Sequence, residues 1–137
     1  AADRLDHVRR LMGPALARGE HVICDRYVGS SIAYQGVEVD EAFVREVNRH
    51  AMEAHWTFYL RVDPEVAMGR IQATRADREI FERLDFQRQV ARRYDAHFQA
   101  EVDRGAPVTI LDGEAPIDRV TEGIQDVLSE IFSGGYG

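Results

Sequence analysis

An apolar run that ends in an acid and a base constrains the fold of this chain more than any other feature. His21-Val22-Ile23-Cys24 is followed directly by Asp25-Arg26. Buried parallel strands are apolar along their whole length, and α/β proteins bind ligands at the carboxyl ends of such strands. We therefore predict a strand over 21–25 that brings Asp25 and Arg26 to the mouth of a sheet.

Strand and helix patterns alternate along the rest of the chain. They predict strands over 57–62 and 107–112 and helices over 3–18, 28–35 and 40–50. Further helices are predicted to begin at Pro64 and at Pro116. Between these two, a long helix is predicted from apolar residues four positions apart, namely Phe86, Val90, Tyr94, Phe98 and Val102. This alternation implies parallel strands, right-handed crossovers and a three-layer α/β domain over 1–137. Three strands are few for such a fold, because sheets usually have about four to six. We therefore expect strands that this sequence does not contain.

Local signals predict the helix ends and faces. Pro14 is expected to kink or shorten the first helix and Gly19 to end it, while Asp40 and Asp63 are expected to cap later helices. The predicted inward faces of the helix after Asp40 and of the last helix are Phe43, Val44, Val47 and Ile117, Val120, Ile124, Val127, Leu128, Ile131. The glycine-rich tail, 133–137, is expected to be flexible.

The composition excludes several classes of protein. The chain has 137 residues, 45% of them apolar, and a net charge of −7. These numbers predict a globular domain and disfavour duplex nucleic acid as a partner, and no apolar run reaches the ~18 residues of a membrane span. The single cysteine, Cys24, excludes an internal disulfide, and its place in the predicted strand indicates a buried, reduced thiol in a cytoplasmic protein. The five histidines show no metal-ligand spacing.

Asp25 and Arg26 are the first candidates for chemistry. An apolar strand that ends in an acid is typical of nucleotide hydrolases and kinases, where the carboxylate holds magnesium directly or through water. The alternative for Asp25 is a helix N-cap. A neighbouring arginine can grip a phosphate with two parallel hydrogen bonds, although a surface ion pair would also explain Arg26.

The segment after Arg26 combines small residues with one aromatic ring. Tyr34 offers a ring face on which a base can stack, and Ser31 and Gln35 offer hydrogen bonds to the edge of that base. A tyrosine that belongs to the core is the alternative. The order of the acid, the arginine and this segment favours a nucleotide site.

A group of arginines follows the second predicted strand, namely Arg70, Arg75, Arg78 and Arg83. The apolar pattern breaks over 73–80, which predicts a mobile lid. Arginines that a closing lid delivers can stabilise the charge of a phosphoryl-transfer transition state. The alternative is a solvated helix start whose glutamates neutralise the arginines.

Over almost its whole length the chain resembles the C-terminal two-thirds of the thymidylate kinases, which phosphorylate dTMP with ATP. The matching pieces are Ala2-Asp3-Arg4, Pro14-Ala15-Leu16-Ala17-Arg18-Gly19, Val22-Ile23-Cys24-Asp25-Arg26-Tyr27, Ser30-Ser31-Ile32-Ala33-Tyr34-Gln35-Gly36, Tyr59-Leu60-Arg61-Val62-Asp63-Pro64-Glu65, Arg75-Ala76-Asp77-Arg78-Glu79 and Asp112-Gly113. Each piece is ordinary, but their order and spacing together are specific.

The resemblance implies a dTMP site. Arg26 would hold the phosphate of dTMP, and Arg4 would reach the carbonyl edge of thymine. Tyr34 would pack near the thymine or the sugar, and Ser31 and Gln35 would line the base pocket.

The resemblance also implies an ATP site and a magnesium ion. Asp25 would lie near Mg2+ and the transferred phosphoryl group, so that it would act with Arg26 in catalysis. Arg75 and Arg78 would be catalytic lid arginines, and Arg70 and Arg75 would contact ATP. The turn Asp112-Gly113 would lie along the adenine.

One motif of the family is absent from the sequence. No glycine-rich phosphate loop ending in Gly-Lys-Ser/Thr occurs in the chain. In the family this loop precedes the segment matching Ala1 and lies in a region with two strands, one of them central in the sheet. The expected fold is therefore a P-loop nucleoside monophosphate kinase fold whose N-terminal strands lie in a preceding segment of a longer protein.

The function that follows is ATP-dependent phosphorylation of dTMP to dTDP, by an enzyme that needs that preceding segment. Two alternatives stay open: a kinase of another nucleoside or nucleotide, and a non-catalytic module that binds a nucleotide or a partner chain. The resemblance further implies a homodimer that pairs through helices, with the helix over 3–18 as the candidate face.

Overall fold

The computed structural model describes residues 6–71 and 77–134, and for residues 71 and 77–82 it describes the backbone alone. A π-helical segment, Val8–Met12, runs directly into helix α1. The elements that follow are α1 (Gly13–Ala17), α2 (Val28–Gln35), α3 (Glu41–Asn48), β1 (Thr57–Arg61), α4 (Pro64–Ile71), α5 (Asp77–Asp103), β2 (Val108–Asp112) and α6 (Ile117–Ser133). None of the helices in this part of the chain is long and apolar enough to cross a bilayer.

The described sheet consists of β1 and β2, which pair in parallel from Thr57 opposite Val108 to Arg61 opposite Asp112. Parallel strands need a crossover between them, and α4 and α5 supply it. A side-chain hydrogen bond joins the two strands near their start, where Nε1 of Trp56 donates to Oγ1 of Thr109 at 2.9 Å. The predicted α/β class, the parallel pairing and both of these strands are confirmed.

The strand predicted over 21–25 is wrong for the described chain, which has two strands and not three. These residues form no regular element, and Ile23 is 94% exposed. Cys24 is also exposed, so the prediction of a buried thiol is wrong as well. The physical reason is that an apolar run becomes a strand only when another strand satisfies its backbone groups.

The predicted helix ends agree with the structure. Gly19 ends the first helix with φ of 77°, and the amide of Glu20 donates back to the carbonyl of Ala15 at 3.1 Å. Pro14 lies where the π-helical segment gives way to α1, as expected from its missing donor. Asp40 caps α3 by accepting from the amide of Ala42 at 3.2 Å, and Asp63 caps α4 by accepting from Glu65 at 2.8 Å.

The predicted helix faces are only partly correct. On α3, Val44 is buried, whereas Phe43 is 59% exposed. On α6, Ile117 is 80% exposed, although the helix packs on β2. The lid predicted over 73–80 overlaps α5, which already begins at Asp77, and residues 72–76 lie outside the described residues, as does the tail from 135.

The core lies between the helices α2, α3 and α5 and the β1 strand. Its buried members in the described chain are Met12, Ile32, Ala33, Val44, Tyr59, Val90 and Phe98. Helix α5 runs along both α2 and the β2 strand. The candidate site residues on α2 are therefore held by the same long helix that supports the sheet.

Candidate functional site

The backbone around Asp25 and Arg26 is unusual. Arg26 has φ of 64°, a left-handed conformation that a side chain with a Cβ rarely adopts. Such strain persists only where the surrounding structure fixes it, and it is concentrated at functional sites. Helix α2 begins directly afterwards with Tyr27 in the N-cap position, so the alternative interpretation of Asp25 as the cap is wrong.

The Arg26 guanidinium lies over the ring of Tyr34, with its Cζ 5.6 Å from the ring centroid. A cation over an aromatic face is attracted by the ring quadrupole. Arg26 and Asp25 are otherwise exposed, while Tyr34 is partly buried. The structure therefore brings together an arginine and an aromatic ring that eight positions separate in sequence.

The other candidates for base recognition lie on the same helix. Ser31 is one turn before Tyr34 and Gln35, so the three side chains share a side of α2. Ser31 is partly buried, whereas Gln35 is exposed. The backbone carbonyl of Gln35 accepts from the amides of Glu38 and Val39.

A cluster of aromatic rings supports Tyr34 from below. Tyr34 meets Phe86 at 6.2 Å and Tyr94 edge-on at 6.1 Å between ring centroids. Tyr94 stacks in turn on Tyr59 at 5.5 Å, and Tyr59 stacks on Phe98 at 4.8 Å. The ring of Tyr34 therefore belongs to the core on one side, as the alternative held, and faces Arg26 on another.

The Tyr94 hydroxyl joins α5 to α2, because it lies 2.7 Å from Oγ of Ser30. Burial raises the pKa of Tyr94, and the charges of Arg26 and Asp25 also act on this hydroxyl, lowering and raising that pKa respectively. In the sequence, Tyr94 stands out only as a member of an apolar row. The signal that could have found its role is that a buried tyrosine hydroxyl needs a hydrogen-bond partner.

The second group of candidates meets at the carboxyl ends of β1 and β2. Arg70 Nη1 donates to the carbonyl of Gly113 at 3.1 Å, and its Nη2 approaches the carbonyl of Glu114 at 3.4 Å. The Gly113 backbone passes close to β1, since a Cβ there would lie 2.6 Å from Cγ2 of Val62. Three candidates for ATP contact, Arg70, Asp112 and Gly113, are thus brought together.

A cavity of about 530 Å3 opens beside this turn. Its walls come from the ends of both strands and from α5, and they include Arg61, Asp63, Asp95, Asp112 and Glu114. Ligands of α/β proteins bind in crevices at this end of a sheet.

One wall of this cavity is held by a group of side chains that no sequence pattern indicates. Asp95 accepts at one oxygen from Oη of Tyr59 at 2.9 Å and from Nε of Arg61 at 2.8 Å. Burial, followed by these bonds to Asp95, raises the pKa of Tyr59, and the same carboxylate raises the pKa of Arg61. Tyr59 and Arg61 are two positions apart on β1, whereas Asp95 lies on α5. No local sequence pattern could therefore have linked the three residues.

Three candidates fall outside what the structure describes. Arg4 and Arg75 lie outside the described residues, and of Arg78 only the backbone, in the first turn of α5, is described. Within the described ranges no group of three or more histidine, cysteine or acidic side chains could by itself hold a metal ion.

The fold and the site together define an α/β protein that presents a strained arginine, an acid and an aromatic ring at the start of one helix. A family model of thymidylate kinase matches residues 1–124. The chain therefore belongs to the thymidylate kinase family.

Individual relatives agree. The thymidylate kinase of Coprothermobacter proteolyticus is 32% identical over 134 residues, which cover 94% of this chain and 65% of that protein. The thymidylate kinase of a Synechococcus species is 40% identical over 109 residues, or 76% of this chain and 52% of that protein. The probable thymidylate kinase of Staphylothermus marinus is 36% identical over 131 residues, or 95% and 63%. This chain thus spans less than two thirds of the length of these relatives.

Proposed function

We propose that the intact protein transfers the terminal phosphate of ATP to dTMP and forms dTDP. The observation that carries the proposal is the Arg26 guanidinium over the Tyr34 ring, directly after Asp25. A nucleoside monophosphate carries a phosphate and a planar base joined through one sugar. The Arg26 guanidinium and the Tyr34 ring lie 5.6 Å apart, so one ligand of this size can reach both groups.

On the dTMP side, each candidate has a separate task. Arg26 binds the phosphate through its planar fork, and Tyr34 packs against the thymine or the sugar. Ser31 and Gln35 supply hydrogen bonds at the base edge, and Arg4 reaches the thymine carbonyls.

On the ATP side, the turn after β2 offers backbone atoms to the adenine. Arg70 already lies at this turn, where it donates to the carbonyl of Gly113. Asp112 fixes the turn by accepting from the amide of Glu114 at 2.9 Å. The lid arginines, Arg75 and Arg78, approach the phosphates and stabilise the charge that develops during transfer.

Asp25 is the candidate ligand for Mg2+. A single exposed carboxylate fits this ion, because Mg2+ usually keeps several waters and takes one or two carboxylates together with substrate phosphates. When bound, the ion neutralises phosphate charge. The chain itself contributes positioning and electrostatics and forms no covalent intermediate.

We also propose that a strand and a glycine-rich phosphate loop from a preceding segment complete the sheet. The proposed strand lies between the run 21–25 and β1. Two observations support this: Ile23 is 94% exposed, and β1 pairs on one edge only among the described strands. Such a strand would convert the apolar run into the strand that its composition favours.

The remaining proposals concern assembly and location. We propose that the protein is cytoplasmic and forms a homodimer through the helical segment that begins at Val8. Leu11 of this segment is an apolar residue that is 60% exposed. Sedimentation of the intact protein tests the assembly. A Leu11→Glu variant should shift a dimer to monomer, and an unchanged dimer would exclude this face.

The test of the function is ADP release by the intact protein with each of dTMP, dUMP and AMP. We expect a clear preference for dTMP. Equal rates with AMP would contradict the base-pocket assignment and favour another nucleotide kinase. Binding of dTMP without ADP release would indicate the non-catalytic module.

Arg26→Ala should lower kcat/KM for dTMP by more than about a hundredfold, since it removes a charge-assisted contact to the phosphate, worth more than ~3 kcal/mol in the transition state. Arg119→Ala is the matched control, because Arg119 is an exposed arginine on α6 that pairs with Glu122 at 3.0 Å. A loss of less than tenfold for Arg26→Ala would reject its assigned role.

A further inference from the structure

We propose that Tyr94 is a positioning residue, whose hydrogen bond to Ser30 fixes the orientation of helix α2 and so sets Tyr34 and Arg26 for the incoming dTMP. This inference rests on the function proposed above. Neither residue is itself a proposed substrate contact.

The hydrogen bond lies at a position where it controls the rotation of α2. Ser30 precedes Tyr34 by four residues, about one helical turn, so the two side chains lie on one side of the helix. A short helix of eight residues that loses a lateral bond at Ser30 can turn about its axis. The ring of Tyr34, and the guanidinium that rests on it, would turn with the helix.

The ring that carries the hydroxyl is held firmly in place. Tyr94 stacks on Tyr59 with 14° between the ring planes and on Phe98 with 10°. The same ring meets Tyr34 edge-on at 85°. Tyr94 is thus a fixed point from which both the hydroxyl and the ring edge orient α2.

Close packing at the start of α2 limits how closely the helix can approach α5. A Cβ on Gly29 would lie 2.7 Å from Cζ of Phe98, so the α2 backbone rests directly on the α5 ring. Burial raises the pKa of the Tyr94 hydroxyl, so the group stays neutral and keeps its bond through the neutral pH range. The hydrogen bond therefore acts as a permanent support and not as a switch.

The experiment measures steady-state kinetics of the intact protein with dTMP and ATP varied separately. Tyr94→Phe keeps the ring contacts and removes the hydroxyl. We expect KM for dTMP to rise about fivefold or more, with kcat and KM for ATP within about twofold of wild type. Ser30→Ala should have the same effect, and the double variant should add little to either. Ser30→Thr, which keeps a hydroxyl, should restore most of the affinity.

Ser129→Ala is the matched control for Ser30→Ala. It also removes a serine hydroxyl from a helix, but that hydroxyl donates to the carbonyl of Gln125 within α6. KM for dTMP should therefore stay unchanged. An equal rise in Ser129→Ala, an unchanged KM in both Tyr94→Phe and Ser30→Ala, or additive effects in the double variant would overturn the inference.

The two proposals fail in distinguishable ways. A wild-type protein that does not phosphorylate dTMP overturns the proposed function and this inference with it. A wild-type protein that is active, with variants that behave like the control, overturns the inference alone. Should Tyr94→Phe not fold, the pair Ser30→Ala and Ser30→Thr decides the matter, because both changes keep the aromatic cluster whole.

Discussion

Two runs of this chain that favour strands by residue type differ in whether they form one. Thr57–Arg61 forms the β1 strand, in which Tyr59 is 9% exposed and each residue lies opposite a residue of β2. Val22-Ile23-Cys24 forms no regular element, and Ile23 is 94% exposed. Both runs favour strands by residue type, and only one has a partner within the described chain. Strand formation here depends on the neighbour more than on propensity.

The same contrast separates the two sides of Arg26. The run 21–25 before it pairs with no strand of the described chain. Helix α2 after it contains Ile32 and Ala33, which are 2% and 0% exposed. The candidate site lies at the boundary between a firmly packed helix and an apolar run that still has surface to bury. Substitutions on the two sides of Arg26 test this contrast.

The sharpest test makes the same substitution on both sides of the boundary. Ile32→Ala should lower the free energy of unfolding by about 2–5 kcal/mol, because it removes buried atoms and leaves a cavity. Ile23→Ala should change it by less than about 0.5 kcal/mol, since the side chain is exposed. Urea denaturation of the 137-residue chain measures both.

The same pair of variants also examines the proposed preceding strand. In a longer polypeptide that contains this strand, Ile23 becomes buried, and Ile23→Ala should then cost nearly as much as Ile32→Ala. A cost that stays near zero in the longer protein would reject the pairing of the run 21–25.

A pair of glycines tests the packed side. Gly29→Ala should destabilise the protein by about 1–3 kcal/mol, because the new Cβ would lie 2.7 Å from the Phe98 ring. Gly69→Ala, on α4, has no heavy atom within 4 Å of the new Cβ and should stabilise by about 0.5–1 kcal/mol through helix propensity. Thermal midpoints should therefore move in opposite directions, and a shift of the same sign in both would contradict the close contact of α2 with α5.

A pair of histidines gives a smaller effect that depends on pH. Burial lowers the pKa of His97. Its charged neighbours are Glu41 and Arg45 of α3, Glu101 of α5 and Arg104 just after α5, and the two glutamates oppose the shift. A lowered pKa means that the unfolded state binds a proton first as pH falls. The stabilisation from His97 is then complete above about pH 6.5 and is lost as pH falls from there through the folded-state pKa.

His97→Gln should therefore flatten the pH dependence of the urea midpoint below about pH 6.5. His21→Gln is the matched control, because His21 is exposed in the unpaired run beside Phe132. Equal flattening in both variants would show that the burial of His97 is not its cause.

The smallest expected effect on stability is that of Cys24→Ser, at less than about 0.5 kcal/mol, because the thiol is exposed. Chemical labelling is the informative measurement at this position. In the 137-residue chain the thiol should react with a disulfide reagent within about tenfold of its rate in denaturant. Strong protection in the 137-residue chain would show that the run 21–25 is already covered there. In the longer polypeptide, where the proposed strand covers this run, we expect strong protection.

Sequence patterns predicted most elements correctly because their signals are local. The caps at Asp40 and Asp63, the Gly19 stop and the apolar row of α5 each depend on residues within a few positions of one another. Only part of the candidate site could be predicted. Arg26 and Tyr34 could be singled out together because they stand close in sequence. The link from Ser30 to Tyr94 spans 64 positions, and no pattern in either segment indicates the other.

The sequence by itself determined the parallel α/β class, most helix boundaries and the family, because periodicity, capping residues and ordered motifs are properties of short segments. Tertiary structure alone decided which apolar runs became strands and which rings support α2. The physical reason is that pairing and burial are relations between distant segments: a strand exists when another strand accepts its hydrogen bonds, and a buried hydroxyl is stable when a partner lies opposite.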